Sequence, residues 1–368
     1  MTDEIRVAVN LTWIAPGRVG GSEQYLVRQL SGLPNDALIE PTIFCRPEFV
    51  EAHPQLADRF PVAAVRLLGD WRATRIIAEH TWLAARTRSV DVVHHGGGTT
   101  PLVGRRPIVL TVHDLQYLSH PEYFGRGRSS YLDRMMPRSV RRAEIVTVPS
   151  AYVGRTVVDA FGIDPDKVMV VPHGVPELAP PSDVATTLGR YGLGDRPFVV
   201  YPAITHPHKG HTVLIEMLGQ LDAEIAVVLV GGAGAAETDV GRAIAASTHR
   251  DRVVRTGRVS DIERDALVYS AAALVFPSEY EGFGAPLVEA MAFDTPVVCG
   301  GAEAVIEVAG DAAVVVAEPT PEAWADGVRQ ALAQRQRLVE LGRRRRQDFT
   351  LEISGMALAD AYRRAAGS

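Results

Sequence analysis

Residues 278–291 read Ser278-Glu279-Tyr280-Glu281-Gly282-Phe283-Gly284-Ala285-Pro286-Leu287-Val288-Glu289-Ala290-Met291. The glycines mark a loop. Pro286 suits the first position of a following helix, where its missing N–H is no loss. Glu281 falls on the loop and Glu289 inside the helix. Unpaired N–H groups at a helix start, together with the helix dipole, make an anion site. Two carboxylates beside such a site suit a ligand rich in hydroxyls that also carries phosphate, and a nucleotide sugar fits that description. The spacing also admits a blander reading, in which Glu289 is favoured only by the dipole and Glu281 is an ordinary loop acid. Thr295-Pro296-Val297-Val298-Cys299 then reads as a turn and a buried strand. Helix, tight turn and strand form the repeating unit of a parallel sheet.

The same alternation runs outward in both directions, with short Val/Ile runs separated by helical stretches. Toward the N-terminus, strands are expected at Ile5 to Asn10, Asp91 to His94, Ile108 to Val112, Ile145 to Pro149 and Val168 to Val171. A helix is expected from Ser22 to Leu33, and another is capped by Ser150 and ends near Phe161-Gly162. Pro172 to Ser182 holds four prolines and no periodicity, and reads as a linker. A second series follows at Phe198 to Tyr201, Ile225 to Val230, Val253 to Arg255, Leu274 to Phe276, Val297 to Cys299 and Ala313 to Val316. The expected fold class is α/β, with two Rossmann-like, doubly wound parallel-sheet domains. Ligands of such sheets bind beyond the carboxyl ends of the strands.

At 368 residues the chain is long enough for two domains. Hydrophobic content of 46% with 22% charged residues is that of a globular protein. No apolar run reaches the ~18 residues of a membrane span. The start of the chain does not read as a secretory signal, and Cys45 and Cys299 are too few for a disulfide framework. A cytoplasmic location is therefore expected. The net charge of -6 gives no support to nucleic-acid binding. Arg138, Arg141, Arg142 and the run Arg343 to Arg346 read as solvated helix faces, with docking to anionic lipid at the inner membrane face as the secondary reading.

The 278–291 stretch resembles the signature of the large retaining glycosyltransferase family 4, also called group 1, in which a glutamate, seven residues and a second glutamate bind the donor. The resemblance is strongest from Ser278 to Ala313. It is weaker at Val19 to Tyr25, Thr111 to Glu122 and Thr147 to Val175, and covers nearly the whole chain. It implies the GT-B architecture, with two domains facing a central cleft. An acceptor-binding domain would span 1–175, a nucleotide-sugar domain 176–349, and a terminal helix within 350–368 would cross back to the first. It also implies front-face attack, with the leaving phosphate taking the acceptor proton, and so no metal and no cofactor beyond the nucleotide-sugar substrate.

Several loops carry the chemistry. Val19-Gly20-Gly21-Ser22-Glu23-Gln24-Tyr25 follows the first strand. A Gly pair is usually only a turn, but at a helix start it lets backbone approach a phosphate, and the resemblance assigns Gly20 and Gly21 to donor binding. Thr111-Val112-His113-Asp114 ends a buried strand, where His113 could bond a sugar hydroxyl or move a proton. The resemblance places His113 on the donor sugar, while Asp114 is expected to order the next loop. Lys209, in Thr205-His206-Pro207-His208-Lys209-Gly210-His211, can put a point charge on a diphosphate. The loop's histidines lack the spacing of a defined metal site. Val230-Gly231-Gly232-Ala233-Gly234 lacks the full dinucleotide spacing. The resemblance assigns Gly231 to the donor and sets Gly257 and Arg258 near the nucleobase.

The expected catalytic set is thus His113, Lys209 and Glu281. Amides of Phe283, Gly284 and Ala285 with Lys209 would hold the diphosphate, and Glu289 the ribose hydroxyls. Two departures from the family pattern stand out. Phe293-Asp294 replaces a small-Gly pair before Thr295-Pro296, and Ala203 stands where an Arg is usual. With Ala203, charge on the leaving diphosphate would fall to Lys209 and helix N-terminal amides, aided by one of the nearby histidines. The regions around His113 and Lys209 resemble those of bacterial mannosyltransferases, which implies GDP-mannose as donor. The acceptor is expected to be a glycan, lipid-linked or small-molecule hydroxyl, met by loops such as Pro47 to Arg72 and Tyr123 to Tyr131. A GT-B phosphorylase or synthase, or a non-catalytic nucleotide-sugar-binding subunit, would share these motifs.

Overall fold

The computed structural model describes residues 4–17, 20–67, 72–105 and 107–367. Val19 and residues 68–71 lie outside the described residues, so the Val19 end of the Gly-rich motif and part of the Pro47 to Arg72 segment are not placed. The chain divides into two units, Met1–Pro176 with Phe349–Ser368, and Glu177–Asp348.

The first unit is built on a parallel sheet of seven strands. In chain order these are β1 (Ile5–Asn10), β2 (Ile39–Cys45), β3 (Val62–Ala64), β4 (Val92–His95), β5 (Ile108–Thr111), β6 (Ile145–Val148) and β7 (Val168–Val170). Their spatial order is β3-β2-β1-β4-β5-β6-β7. The central strands are sequestered on both faces, which is why β5 and β6 read as largely apolar runs.

β2 and β3 were not legible in the sequence. Pro41 interrupts the first, and Pro argues against an interior strand. The register removes the conflict. Ile43 donates its N–H toward β3, to Pro61 O at 2.9 Å. Pro41, two residues earlier, faces the same side beyond the start of β3, which first pairs at Ile43–Val62, so no ladder bond is lost. The segment expected as a loop from Pro47 also carries two short helices, Pro47–Ala52 and Pro54–Arg59, each opened by its proline.

The last helix, Leu351–Ala366, is capped by Thr350 and packs on the first unit. Leu358, Ala359, Ala361, Tyr362 and Ala365 are buried in the core that holds Val7, Val9 and Val92. The helix meets the 21–31 helix end backbone to backbone. A Cβ on Gly355 would stand 1.8 Å from Gly32 O, and one on Gly32 1.9 Å from Leu351 O.

The second unit has a six-stranded parallel sheet: β8 (Phe198–Pro202), β9 (Ala226–Val230), β10 (Val253–Gly257), β11 (Ala273–Phe276), β12 (Val297–Gly300) and β13 (Ala313–Val316). The order is β10-β9-β8-β11-β12-β13. In each sheet the chain moves outward one way and then returns to the other side of its first strand. The switch points lie between β1 and β4 and between β8 and β11, where open α/β sheets bind ligands.

The Asp294 departure is accommodated. Its φ of 58° is left-handed, which Asp tolerates better than most residues. Both carboxylate oxygens accept from Arg343, at 2.8 and 2.5 Å. Arg345 donates to the carbonyls of Glu307 and Val308 at the end of the 303–309 helix. The 343–346 run is therefore not simply a solvated face, because two of its arginines tie down helix ends. Asp294→Ala loses the ion pair and the local tolerance of this turn together. It should lower stability by about 1 kcal/mol, read as a shift in urea midpoint without a change in slope.

Candidate functional site

In the second unit, four loops meet along the carboxyl edge of the sheet. Tyr201, near the end of β8 and fully buried, donates its hydroxyl to Lys209 O at 2.9 Å and lies 2.8 Å from Ser278 Oγ. Glu279 N donates to His208 O at 2.8 Å. Gly210, at φ 65°, presses against the carbonyl of Pro277, 2.8 Å from where a Cβ would stand. The loops after β8 and β11 are thus tied across the switch point. There Lys209 Nζ meets Glu281 Oε1 at 2.5 Å, with both side chains mostly buried. One ammonium hydrogen is committed to Glu281, which leaves two donors on Lys209. Glu281 Oε2 has no partner among the described residues.

The helix after this loop runs Ala285–Ala292, with Pro286 in its first turn and Gly284 left-handed at φ 99°. Phe283 and Gly284 are buried. Glu289, in the second turn, is partly exposed. It lies within the field of Arg264, on the 261–270 helix, whose own carboxylate partners are Asp265 and Asp261 at 2.7 and 2.9 Å. Burial holds the Asp265 carboxyl above its usual range, opposed by Arg264.

On the other side of β8 the glycines keep backbones close. Gly231, at φ 149°, leaves only 2.3 Å between a Cβ position and Ala203 O. Its N–H donates to Gly257 O at 3.0 Å. Thr205 Oγ1 accepts from Gly234 N at 2.7 Å and donates to Glu237 at 2.8 Å, and Glu237 also receives Arg255 at 2.5 Å. Arg258 Nε lies 3.9 Å from the Cβ position of Gly232.

No side chain at Ala203 can carry charge, and its carbonyl accepts from His211 Nε2 at 3.4 Å. Burial, then the Lys209 charge, pushes His206 down. Burial takes His211 down to about 4, with Lys209 and Arg255 adding to the effect against the Ala203 bond. These two rings are neutral near pH 7 and offer hydrogen bonds but no charge. Of the three histidines around Lys209, His206 and His211 thus bring no resting charge to the switch point.

Gly20, Gly21 and His113 belong to the first unit. Gly20, at φ 71°, precedes the Gly21–Ser31 helix. Glu23, buried, accepts from Gly17 N at 3.1 Å and pairs with His53 at 2.7 Å, which holds the loop. His113 donates from Nε2 to Gly96 O at 2.9 Å, which leaves Nδ1 as an acceptor. Its ring lies 5.4 Å from Tyr25 and 5.7 Å from Trp13. Burial pushes its pKa down, so the neutral ring is the resting form. Asp114 accepts from Gln116 N at 2.9 Å and orders the loop that follows. The structure therefore gathers Lys209 with Glu281, Gly231 with Gly257, and Glu289 with the Gly284–Ala285 helix start, all on one sheet edge. Gly20, Gly21 and His113 sit on the edge of the other sheet.

The sequence reading missed Tyr201, Thr205, Glu237, Arg255 and Arg264. Only Thr205 had a local signal, its place beside Lys209 on the same loop. The others act through partners on different loops and helices.

Residues 189–348 match the family Glycosyl transferases group 1, and residues 19–177 match Glycosyltransferase Family 4. The O-antigen chain mannosyltransferase B of Escherichia coli is 25% identical over 234 residues, which is 61% of this chain and 61% of that protein. The O-antigen chain mannosyltransferase RfbU of Salmonella typhimurium is 26% identical over 255 residues, 67% of this chain and 68% of that one. The match to the first of these spans less than two thirds of its length. The crystal structure of Anabaena HepE in complex with UDP and glucose superimposes with a TM-score of 0.77 at 19% identity, covering 97% of this chain and 98% of that one.

Proposed function

Since the chain belongs to the group 1, or family 4, glycosyltransferases and has the GT-B fold, we propose that it transfers mannose from GDP-mannose, with retention and without a metal, to a glycan, lipid-linked or small-molecule hydroxyl. The observation that carries this reading is the Lys209–Glu281 pair at the switch point, with Glu289 in the helix behind the left-handed Gly284. In this reading Glu289 accepts from both ribose hydroxyls, as an ionised carboxylate can. Glu281 Oε2 takes a hydroxyl of the transferred sugar and orients its anomeric carbon. The Gly284–Ala285 amides and Lys209 meet charge as it grows on the departing diphosphate, and pre-placed donors lower that barrier. His113 Nδ1 accepts from the sugar. The mannosyltransferase relatives support the choice of sugar.

The test is a thermal-shift panel with GDP, UDP, dTDP and ADP and their sugar conjugates, without added metal. A ligand at 100 times its Kd should add about 2.7 kcal/mol. GDP should give the largest shift, and Glu289→Ala should weaken it about 10- to 100-fold through loss of charge-assisted hydrogen bonds. A larger shift with UDP would overturn the GDP assignment, and no shift with any nucleotide would overturn the site. Ala203 favours a second reading, a subunit that binds donor without transfer. Release of free mannose or a mannosylated product from GDP-mannose would exclude it, and the anomeric configuration of a product by NMR tests retention.

A further inference from the structure

The turn that carries Lys209 is held at both ends. At its far end Tyr201 donates to Lys209 O. At its near end stands Thr205, only 4% exposed, and its backbone and hydroxyl are all spent on the segment after β9. Thr205 N donates to Gly232 O at 3.3 Å, and Thr205 O accepts from Ala236 N at 2.8 Å. Thr205 Oγ1 accepts from Gly234 N at 2.7 Å and donates to Glu237 Oε2 at 2.8 Å. The two segments lie so close that a Cβ on Gly234 would stand 2.5 Å from Thr205 O. Glu237 opens the 237–246 helix, and its other oxygen, Oε1, receives Arg255 of β10 at 2.5 Å.

The residues between Thr205 and Lys209 are stiff. Pro207 has a fixed φ and opens a 3-10 turn, Pro207–Lys209, closed by Lys209 N donating to His206 O at 3.0 Å. A shift at Thr205 is therefore passed on to Lys209 and not absorbed between them. The hydroxyl has no freedom of its own, since its one hydrogen goes to Glu237 and a lone pair takes the Gly234 N–H. Glu237 is in turn fixed by Arg255, through a charge-assisted bond of the stronger kind. Arg255 and then Thr205 hold the Glu237 carboxyl below its usual range, so this network is ionised at neutral pH. A carboxylate in the first turn of a helix is favoured by the dipole alone, but the dipole requires no threonine partner on a neighbouring loop.

We propose that Thr205, held by Glu237 and Arg255, is a positioning residue that sets the Lys209 ammonium against Glu281. The relay runs from Arg255 through Glu237 to Thr205, and so carries the position of β10 into the turn after β8. It also fixes the spacing between that turn and the Gly231 to Gly234 segment. That the placed ammonium meets a diphosphate rests on the transferase reading; the placement itself does not.

The chain holds two lysines, Lys167 and Lys209, so the full chain labelled with 13C-lysine gives two side-chain Cε signals by NMR. Lys167, which bonds Ala143 O in the other unit, is the internal control. Thr205→Val keeps the shape and removes the hydroxyl, whereas Thr205→Ser keeps the hydroxyl. Thr205→Val should shift the Lys209 signal, Thr205→Ser should leave it in place, and Lys167 should move in neither. Glu237→Gln, on a partly exposed side chain that folding does not depend on, should move Lys209 in the same direction. A Lys209 signal unmoved by both Thr205→Val and Glu237→Gln, or moved as far by Thr205→Ser, would overturn the relay. In transfer assays with GDP-mannose, Thr205→Val should lower turnover about tenfold with the GDP thermal shift unchanged. Thr205→Ser should restore the rate, and in a Lys209→Ala chain Thr205→Val should cost nothing further. An equal loss in both backgrounds would mean that Thr205 acts apart from Lys209, and would overturn the assignment. If the Lys209 signal moves as expected while Lys209→Ala leaves turnover unchanged, the placement stands and the role of Lys209 in transfer falls.

Discussion

If the chain transfers a sugar from GDP-mannose as proposed, Lys209→Ala should lower the rate of transfer about 100- to 1,000-fold while changing the affinity for GDP far less. Removing one pre-placed donor to a developing negative charge typically has that effect on turnover. Here the effect should lie at the upper end, because Ala203 offers no second cation and His206 and His211 are held neutral beside Lys209. The ammonium is also positioned before any ligand arrives. Glu281 receives it at 2.5 Å, and Tyr201 bonds the backbone carbonyl of the same lysine at 2.9 Å. The substitution therefore removes a pre-organised charge and leaves Glu281 without its counter-ion, which further opposes a negative diphosphate. Lys209→Arg keeps the charge but not the compact geometry, and should recover only part of the rate. Steady-state kinetics with GDP-mannose, with free mannose as the readout where no acceptor is in hand, would decide. A variant with wild-type turnover would remove Lys209 from the mechanism.

Gly355→Ala should cost about 3 kcal/mol or more, an unusual loss for one methyl group. The added carbon would lie 1.8 Å from Gly32 O and 2.0 Å from Gly32 C. Both are backbone atoms, so no side chain can swing aside. The terminal helix must lift from the first unit, and its anchors loosen together. Ser354 Oγ donates to Pro172 O at 2.6 Å, and Tyr362 sits 2.8 Å from His94, whose other ring nitrogen lies 2.7 Å from Thr111. Leu358, Ala359 and Ala361 would lose burial at the same time. Gly241, inside the 237–246 helix with open space around its Cβ position, is the control. Gly241→Ala should stabilise by roughly 0.5–1 kcal/mol, since helical glycine is entropically costly. Urea melts of the two variants should move in opposite directions. A Gly355→Ala midpoint equal to wild type would mean that the helix docks less tightly than its geometry implies.

Much of this architecture was legible before any coordinates. The Val/Ile runs at Ile5–Asn10, Val297–Gly300 and Ala313–Val316 are strands where the alternation put them. The loop before Pro286 opens a helix, and Asp294 takes the left-handed conformation its position called for. These features depend on neighbours a few residues apart, and local sterics and periodicity act over that range. β2 escaped because Pro41 is a strand breaker by local rules, and only the late start of β3, which first pairs at Ile43, makes the missing N–H harmless. The arginine run from Arg343 looked solvated because Asp294 and the end of the 303–309 helix, which hold two of its members, are more than thirty residues away in the chain.

The sequence by itself determined two parallel α/β sheets, the family, and the loops that carry charged and glycine residues at strand ends. Tertiary structure alone decided which of those groups meet. It sets Lys209 on Glu281 across 72 residues, Arg264 beside Glu289, Gly32 under Gly355, and Asn10 between Glu79 and His95. The reason is physical. Backbone preference is a property of a short segment and leaves its period in the text of the chain. A hydrogen bond or ion pair between loops depends on strand order and register, which arise only when the whole sheet closes around its core.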